Sequence, residues 1–224
     1  MNINFFKKSF PLLIVMAVFS VFMVFVIYSI LKPTERLPIY NPADVNPRLV
    51  DKSLFHVTKD HTIADFSLTN QNGKIVTQND YKDKIYVADF FFTTCQTICP
   101  IMTDHMVKIQ NEIINDDEVM LLSHSVTPET DSIATLKNYA KEKGIISKKW
   151  HLVTGNRKEI YNLGRKAYFV EEDLGKQKTD DDFLHTENFV LIDKNRHIRG
   201  IYNGLNKTAV QQLIADVKTL QLEE

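Results

Sequence analysis

About 22 consecutive residues, 10–31 (FPLLIVMAVFSVFMVFVIYSIL), carry no charge. At about 1.5 Å per residue, that run predicts a helix long enough to cross a hydrocarbon core of about 30 Å. The pattern then breaks. Residues 34–55 hold Pro38, Pro42 and Pro47 and show no sustained period, which predicts a semi-extended stalk.

From about Ile63 the pattern alternates between two periods. Short strands at 65–68 and 74–77 flank Asn70-Gln71-Asn72-Gly73, a hairpin signal. Residues 84–93 (KIYVADFFFT) are almost continuously apolar, as expected of a strand covered on both faces. Ile98, Ile101, Met102, Met106, Ile109 and Ile113 then recur at three- and four-residue steps, the period of a helix. A strand at 119–126 is followed by a helix at 132–143 that Gly144 closes. A strand at 150–154, a helix at 158–167, a polar loop at 171–182 and strands at 188–193 and 198–202 come next. Val210, Leu213, Ile214, Val217 and Leu220 mark a last amphipathic helix. Strands alternating with helices predict a layered α/β domain with a mixed central sheet whose core is largely parallel.

Charge refines the picture. Lys7, Lys8 and Lys32 are three of the 27 basic residues and lie in the first 33 positions, where there is no acid. The rest of the chain therefore carries 24 basic against 28 acidic groups, a balance that disfavours a nucleic-acid surface. The seven glycines match neither G-x-G-x-x-G nor a P-loop, which argues against nucleotide chemistry. The apolar run exceeds a signal-peptide core and ends Tyr28-Ser29-Ile30-Leu31-Lys32-Pro33 without a small-residue cleavage motif. It is therefore expected to be an uncleaved signal anchor. Lys7, Lys8 and the terminal amine favour a cytoplasmic stub at residues 1–9. A single span at 10–31 and a stalk at 32–55 follow, with a domain at 56–224 outside the cytoplasmic membrane.

The two cysteines sit together in Phe90-Phe91-Phe92-Thr93-Thr94-Cys95-Gln96-Thr97-Ile98-Cys99-Pro100, where a strand ends and a helix begins. Helix N-termini present unpaired N–H groups and partial positive charge, which stabilise thiolates. Pro100 suits the first turn, where an N–H is not needed. In an oxidising compartment such a pair reads as a disulfide, a redox couple or a metal site.

These motifs resemble the Sco/SenC family of membrane-anchored copper proteins. Asp65-Phe66 with the Asn70–Gly73 turn, the run from Phe90 to Pro100, Ser125-Val126-Thr127-Pro128-Glu129-Thr130-Asp131, and His185 ahead of Phe189 follow family landmarks in order, over about residues 60–220. The resemblance implies a thioredoxin-like fold and Cys95, Cys99 and His185 as copper ligands. It also implies a role in building the CuA centre of cytochrome c oxidase. The partners it implies are the oxidase subunit carrying that site and a thiol reductant or another copper carrier. Two thiolates and an imidazole suit Cu(I) and can hold Cu(II) with an added ligand, and zinc also accepts these donors.

Among the other histidines, His105 lies six residues past Cys99, too far along one helix to share an ion with it. His124, at the end of a strand, is a reserve ligand. Asp89, an acid inside an apolar strand six residues before Cys95, is either a proton-handling group or a hydrogen-bonding one. A second functional class, thiol–disulfide oxidoreductase, fits the cysteines alone. However, C-x-x-x-C replaces C-x-x-C, and no proline follows Pro128 to act as the substrate-clamping cis-proline of thioredoxins. A peroxiredoxin-like peroxidase fits least, because Ile98 stands where an activated thiolate would want polar support.

Overall fold

The structure is a computed structural model that describes residues 3–31, 36–170 and 186–223. The chain divides into two units, Met1–Glu35 and Arg36–Glu224. The described residues of the first form one helix, α1 (Ile3–Leu31). Its stretch Phe10–Tyr28 has a mean hydropathy of 2.9 and no buried residue, so it is long and apolar enough to cross a membrane.

The second unit is built on one seven-stranded sheet. Its elements in chain order are β1 (Ser67–Asn70), β2 (Ile75–Thr77), β3 (Ile85–Phe91), α2 (Cys99–Glu112), β4 (Val119–Ser125), α3 (Ile133–Lys143), β5 (Trp150–Thr154), α4 (Arg157–Asn162), β6 (Asn188–Ile192), β7 (Ile198–Asn203) and α5 (Lys207–Glu223). The strand order is β2-β1-β5-β4-β3-β6-β7. The central β5, β4 and β3 are parallel, and the flanking pairs are antiparallel. The sheet is thus mixed, with its parallel part at the centre.

Every residue of β3 is buried, as its unbroken apolar run requires. Alternation divides the strand between two cores. Ile85, Val87 and Phe91 pack with Met102, Met106 and Ile109 of α2 and with Leu213, Val217 and Leu220 of α5. Tyr86, Ala88 and Phe90 face Phe66, Tyr161, Tyr168 and Phe169 on the other side. Local signals set several boundaries. Asn70 accepts the N–H groups of Asn72 and Lys74 through its side chain, and Gly73 takes φ +74° to close the hairpin. Ser132 caps α3 by accepting the Thr135 N–H, and Gly144 ends it at φ +70°.

Two stretches depart from the sequence reading. Residues 36–55, expected as a stalk, belong to the compact unit. Tyr40 forms a β-bridge with Ile198, and Val45 and Val50 are buried in the core. Arg199 donates to the Leu37 and Pro38 carbonyls and pairs with Asp193 and Glu223. The helix expected at 158–167 is α-helical only to Asn162 and continues as a π-turn over Leu163–Ala167. Beyond that turn the chain leaves the helix, Phe169 takes φ +53°, and Ala167, Tyr168, Phe169 and Val170 are all buried.

Candidate thiol metal centre

β3 ends in the middle of the sheet, and residues 92–98 lead from it to the start of α2. The chain turns early: the Cys95 N–H donates to the Phe92 carbonyl at 3.3 Å. Ile98, at the N-cap position of α2, has no side chain able to cap. The Cys95 sulfur fills the role, accepting the Cys99 N–H at 3.4 Å. Cys95 Sγ also lies 3.7 Å from Thr97 Oγ1. The sequence-predicted pair is thus brought together at a helix start, with both thiols free.

The two thiols are chemically unlike. Cys99 is buried against α2 and β3, and burial pushes its thiol up to about 12. Cys95 is partly exposed. Burial alone would raise it, but hydrogen bonds from the Cys99 thiol and N–H and from Thr97 bring it down to about 7. The pair therefore presents one accessible, readily ionised sulfur and one sheltered sulfur.

Behind Cys99 lies a buried polar chain. Trp150 Nε1 donates to Ser123 Oγ at 2.7 Å, and Ser123 donates to the Asp89 carboxylate. Burial raises the Asp89 carboxyl to about 7, and its charge is felt at Cys99. Asp89 is therefore both hydrogen-bonded and poised to titrate.

A second carboxylate supports the loop in front. Asp131 is fully buried and accepts from Thr93 Oγ1 at 2.5 Å, Ser125 Oγ at 2.6 Å, and Thr93 N and Thr127 Oγ1 at 3.2 Å each. The sequence marks the 125–131 motif but gives Asp131 no role there. The hydroxyl-bearing Thr93, Ser125 and Thr127 are the available signal.

The histidines separate clearly. His185 lies outside the described residues. Thr186, the next residue, lines a cleft of about 390 Å³ together with Glu187, Asn188 and Ile98 of the cysteine loop. His105 Nδ1 bonds the Gly204 carbonyl at 2.7 Å within the core. His124, the reserve ligand, points away from Cys99 into the opposite core. It stacks on Phe90 at 4.7 Å and lies near Tyr168 and Phe66. Strand alternation explains this, because His124 pairs in register with Phe90 rather than with Phe91. Among the described residues no three His, Cys, Asp or Glu side chains gather as a metal cluster. The two sulfurs supply two soft donors with one side open, a donor set that fits Cu(I) or Zn²⁺.

Comparison with known proteins agrees with this geometry. The family model described as SCO1/SenC matches residues 56–221. The chain is 32% identical over 161 residues to the SCO1 protein homolog of Bacillus subtilis, covering 71% of this chain and 82% of that protein. It superposes with a TM-score of 0.62 on BsSco, described with a disulfide switch and as a member of the Sco family of cytochrome c oxidase assembly proteins. Identity there is 30%, over 74% of this chain and 96% of that one. It also superposes on copper-bound ScoI of Bradyrhizobium japonicum, with a TM-score of 0.57 and 28% identity over 72% of this chain and 99% of that one. The mixed sheet is therefore a Sco-type thioredoxin-like fold, and the chain belongs to the SCO1/SenC family.

Proposed function

We propose that this protein is a membrane-anchored copper carrier in which Cys95, Cys99 and His185 hold one copper ion for delivery to the CuA site of cytochrome c oxidase. The observation that carries the reading is the pairing of the two free sulfurs at the start of α2, with Cys95 open to exchange. Copper binding by the B. japonicum relative supports the choice of metal. Thr186, the next residue along the chain from His185, lines the same cleft as Ile98, which supports His185 as third ligand. Two thiolates select Cu(I), and an added donor would accommodate Cu(II). An open side lets an acceptor's ligand enter before a carrier sulfur leaves. In this reading α1 is an uncleaved single span in the cytoplasmic membrane, the N-terminus lies inside, and the copper domain faces the extracytoplasmic side with the oxidase subunit.

The difference between the two thiols favours a linked second reading, reduction of the acceptor's cysteines. Cys95 as thiolate attacks a target disulfide, forming a mixed disulfide and releasing one target thiolate. Cys99, on losing its proton, attacks Cys95 Sγ and frees the second target thiolate, leaving the Cys95–Cys99 disulfide. An external thiol reductant then restores the pair. The disulfide switch of BsSco supports this alternative.

The test mixes the copper-loaded full chain, in detergent, with an apo oxidase subunit carrying an empty CuA site. Delivery predicts that copper leaves the chain and the CuA absorption appears. If instead no copper passes to the subunit, while the copper-free, reduced chain reduces a disulfide of the subunit and is itself left with a Cys95–Cys99 disulfide, the protein is an oxidoreductase.

A further inference from the structure

Asp131 does more than satisfy a local loop. Its carboxylate stands where the C-terminal ends of two neighbouring parallel strands diverge. One strand, β3, runs into the cysteine loop, and the other, β4, runs into the segment leading to α3. The ladder between them continues one step past the strands through Val126 N to Phe91 O at 2.9 Å. Beyond that point the loops are joined by Asp131. Oδ1 takes the Thr93 hydroxyl, and Oδ2 takes the Thr93 N–H together with the Ser125 and Thr127 hydroxyls. Among the described residues no cation pairs with it, so its charge is met by hydroxyl and amide dipoles alone. A buried carboxylate leaves water at a high free-energy cost unless its lone pairs are filled. Here four donors fill them, two of them from a single residue, Thr93.

That residue is well placed to govern the thiol. Thr93 follows Phe92, whose carbonyl receives the Cys95 N–H, and only Thr94 separates it from Cys95. Holding both the amide and the hydroxyl of Thr93 fixes the direction in which the chain leaves β3. It thereby fixes whether Cys95 Sγ reaches the Cys99 N–H.

We propose that Asp131 is a positioning residue for the metal and redox site, clamping Thr93 so that the Cys95 sulfur is held over the first turn of α2. The proposal rests on the carrier reading for its consequence in copper binding, but not for its consequence in thiol chemistry. Without the clamp the fold persists, while Cys95 samples positions away from Cys99.

The experiment uses the full chain in detergent and three variants that keep the buried carboxylate. Thr93→Val removes the hydroxyl donor with little change of shape, Thr93→Ser restores it, and Ser125→Ala removes a comparable donor from the β4 side. Three quantities are read: the rate at which iodoacetamide alkylates Cys95 in the copper-free protein, Cu(I) retention against a chelator, and the urea midpoint. Loss of one hydrogen bond in the clamp predicts Cys95 alkylation about 2- to 10-fold slower in Thr93→Val. Copper retention is expected to fall on the order of tenfold, as for other supporting partners of metal ligands. Thr93→Ser should return both to the wild-type value, and Ser125→Ala should shift the urea midpoint alone. Wild-type alkylation in Thr93→Val, or an equal change in Ser125→Ala, would overturn the proposal and leave Asp131 purely structural. If the wild-type chain retains no copper the carrier reading fails, and the alkylation comparison still decides whether Asp131 positions Cys95.

Discussion

Replacing His124 by Phe should make the protein more stable in acid, by an amount the core geometry sets. His124 is completely buried between Phe90, Phe66 and Tyr168. Its Nδ1 lies 3.3 Å from the Asp89 carbonyl, which can only accept, so Nδ1 carries the proton and Nε2 is a bare acceptor. Among the described residues nothing donates to Nε2. Near pH 7 the substitution removes one long hydrogen bond, about 1 kcal/mol, and an unsatisfied acceptor that costs about 1–3 kcal/mol, so the net change runs from none to about 2 kcal/mol of stabilisation. Acid separates the two proteins. Burial depresses the imidazole from 6.5 to about 4, so the unfolded chain takes up a proton that the folded chain resists. The stability tied to the neutral ring is present above pH 6.5 and lost as pH falls towards 4, about 3 kcal/mol in all. Asp89 works in the opposite sense. Burial raises its carboxyl from 3.8 to about 7, so its contribution is complete below 3.8 and fades as pH rises through 7. Both proteins keep Asp89, so it cancels in their difference. Urea titrations of the full chain in detergent can be followed by Trp150, which is buried and bonded to Ser123. They should show His124→Phe gaining about 3 kcal/mol over wild type between about pH 6.5 and about pH 4. Parallel pH profiles would refute the assignment of a neutral, buried His124.

Alkylation of the copper-free protein should be confined to Cys95 and reach half its limiting rate near pH 7, with Cys99 protected to far higher pH; mass spectrometry of the labelled peptide checks this. Arg199→Met should destabilise the domain by about 3–5 kcal/mol, because it strands the buried Asp193 and Glu223 carboxylates and frees the Leu37 and Pro38 carbonyls. The same change should expose residues near 37 to limited proteolysis. N-terminal sequencing of the cell-made protein should find residues 1–31 retained, and a mature chain starting near Lys32 would show that the apolar helix is removed as a signal peptide.

The strands and helices around the site are legible in the sequence because their signals are local. The apolar run of β3 reports cover on both faces, and Ser132 and Gly144 delimit α3 by their own caps. The cysteine pair is legible for the same reason, since strand end, thiols and Pro100 are adjacent in sequence. Residues 36–55 are not, because Val45 and Val50 are buried, and Tyr40 bridges to Ile198, at irregular intervals and against partners far along the chain. His124 reads as a site-edge residue from its strand position alone, and only its register with Phe90 shows which face it occupies. The role of Asp131 depends on Thr93, 38 positions earlier, and no local pattern encodes that pairing.

The most direct test of the central claim is a Cu(I) competition titration of the full chain in detergent, with Cys95→Ser, Cys99→Ser and His185→Ala in parallel. The account predicts one tightly held copper per chain, lost with either cysteine and weakened without His185, while the His185→Ala thiols stay reducible. A fully reduced wild-type chain that retains no copper would contradict the carrier function, and unchanged affinity in His185→Ala would remove that residue from the ligand set.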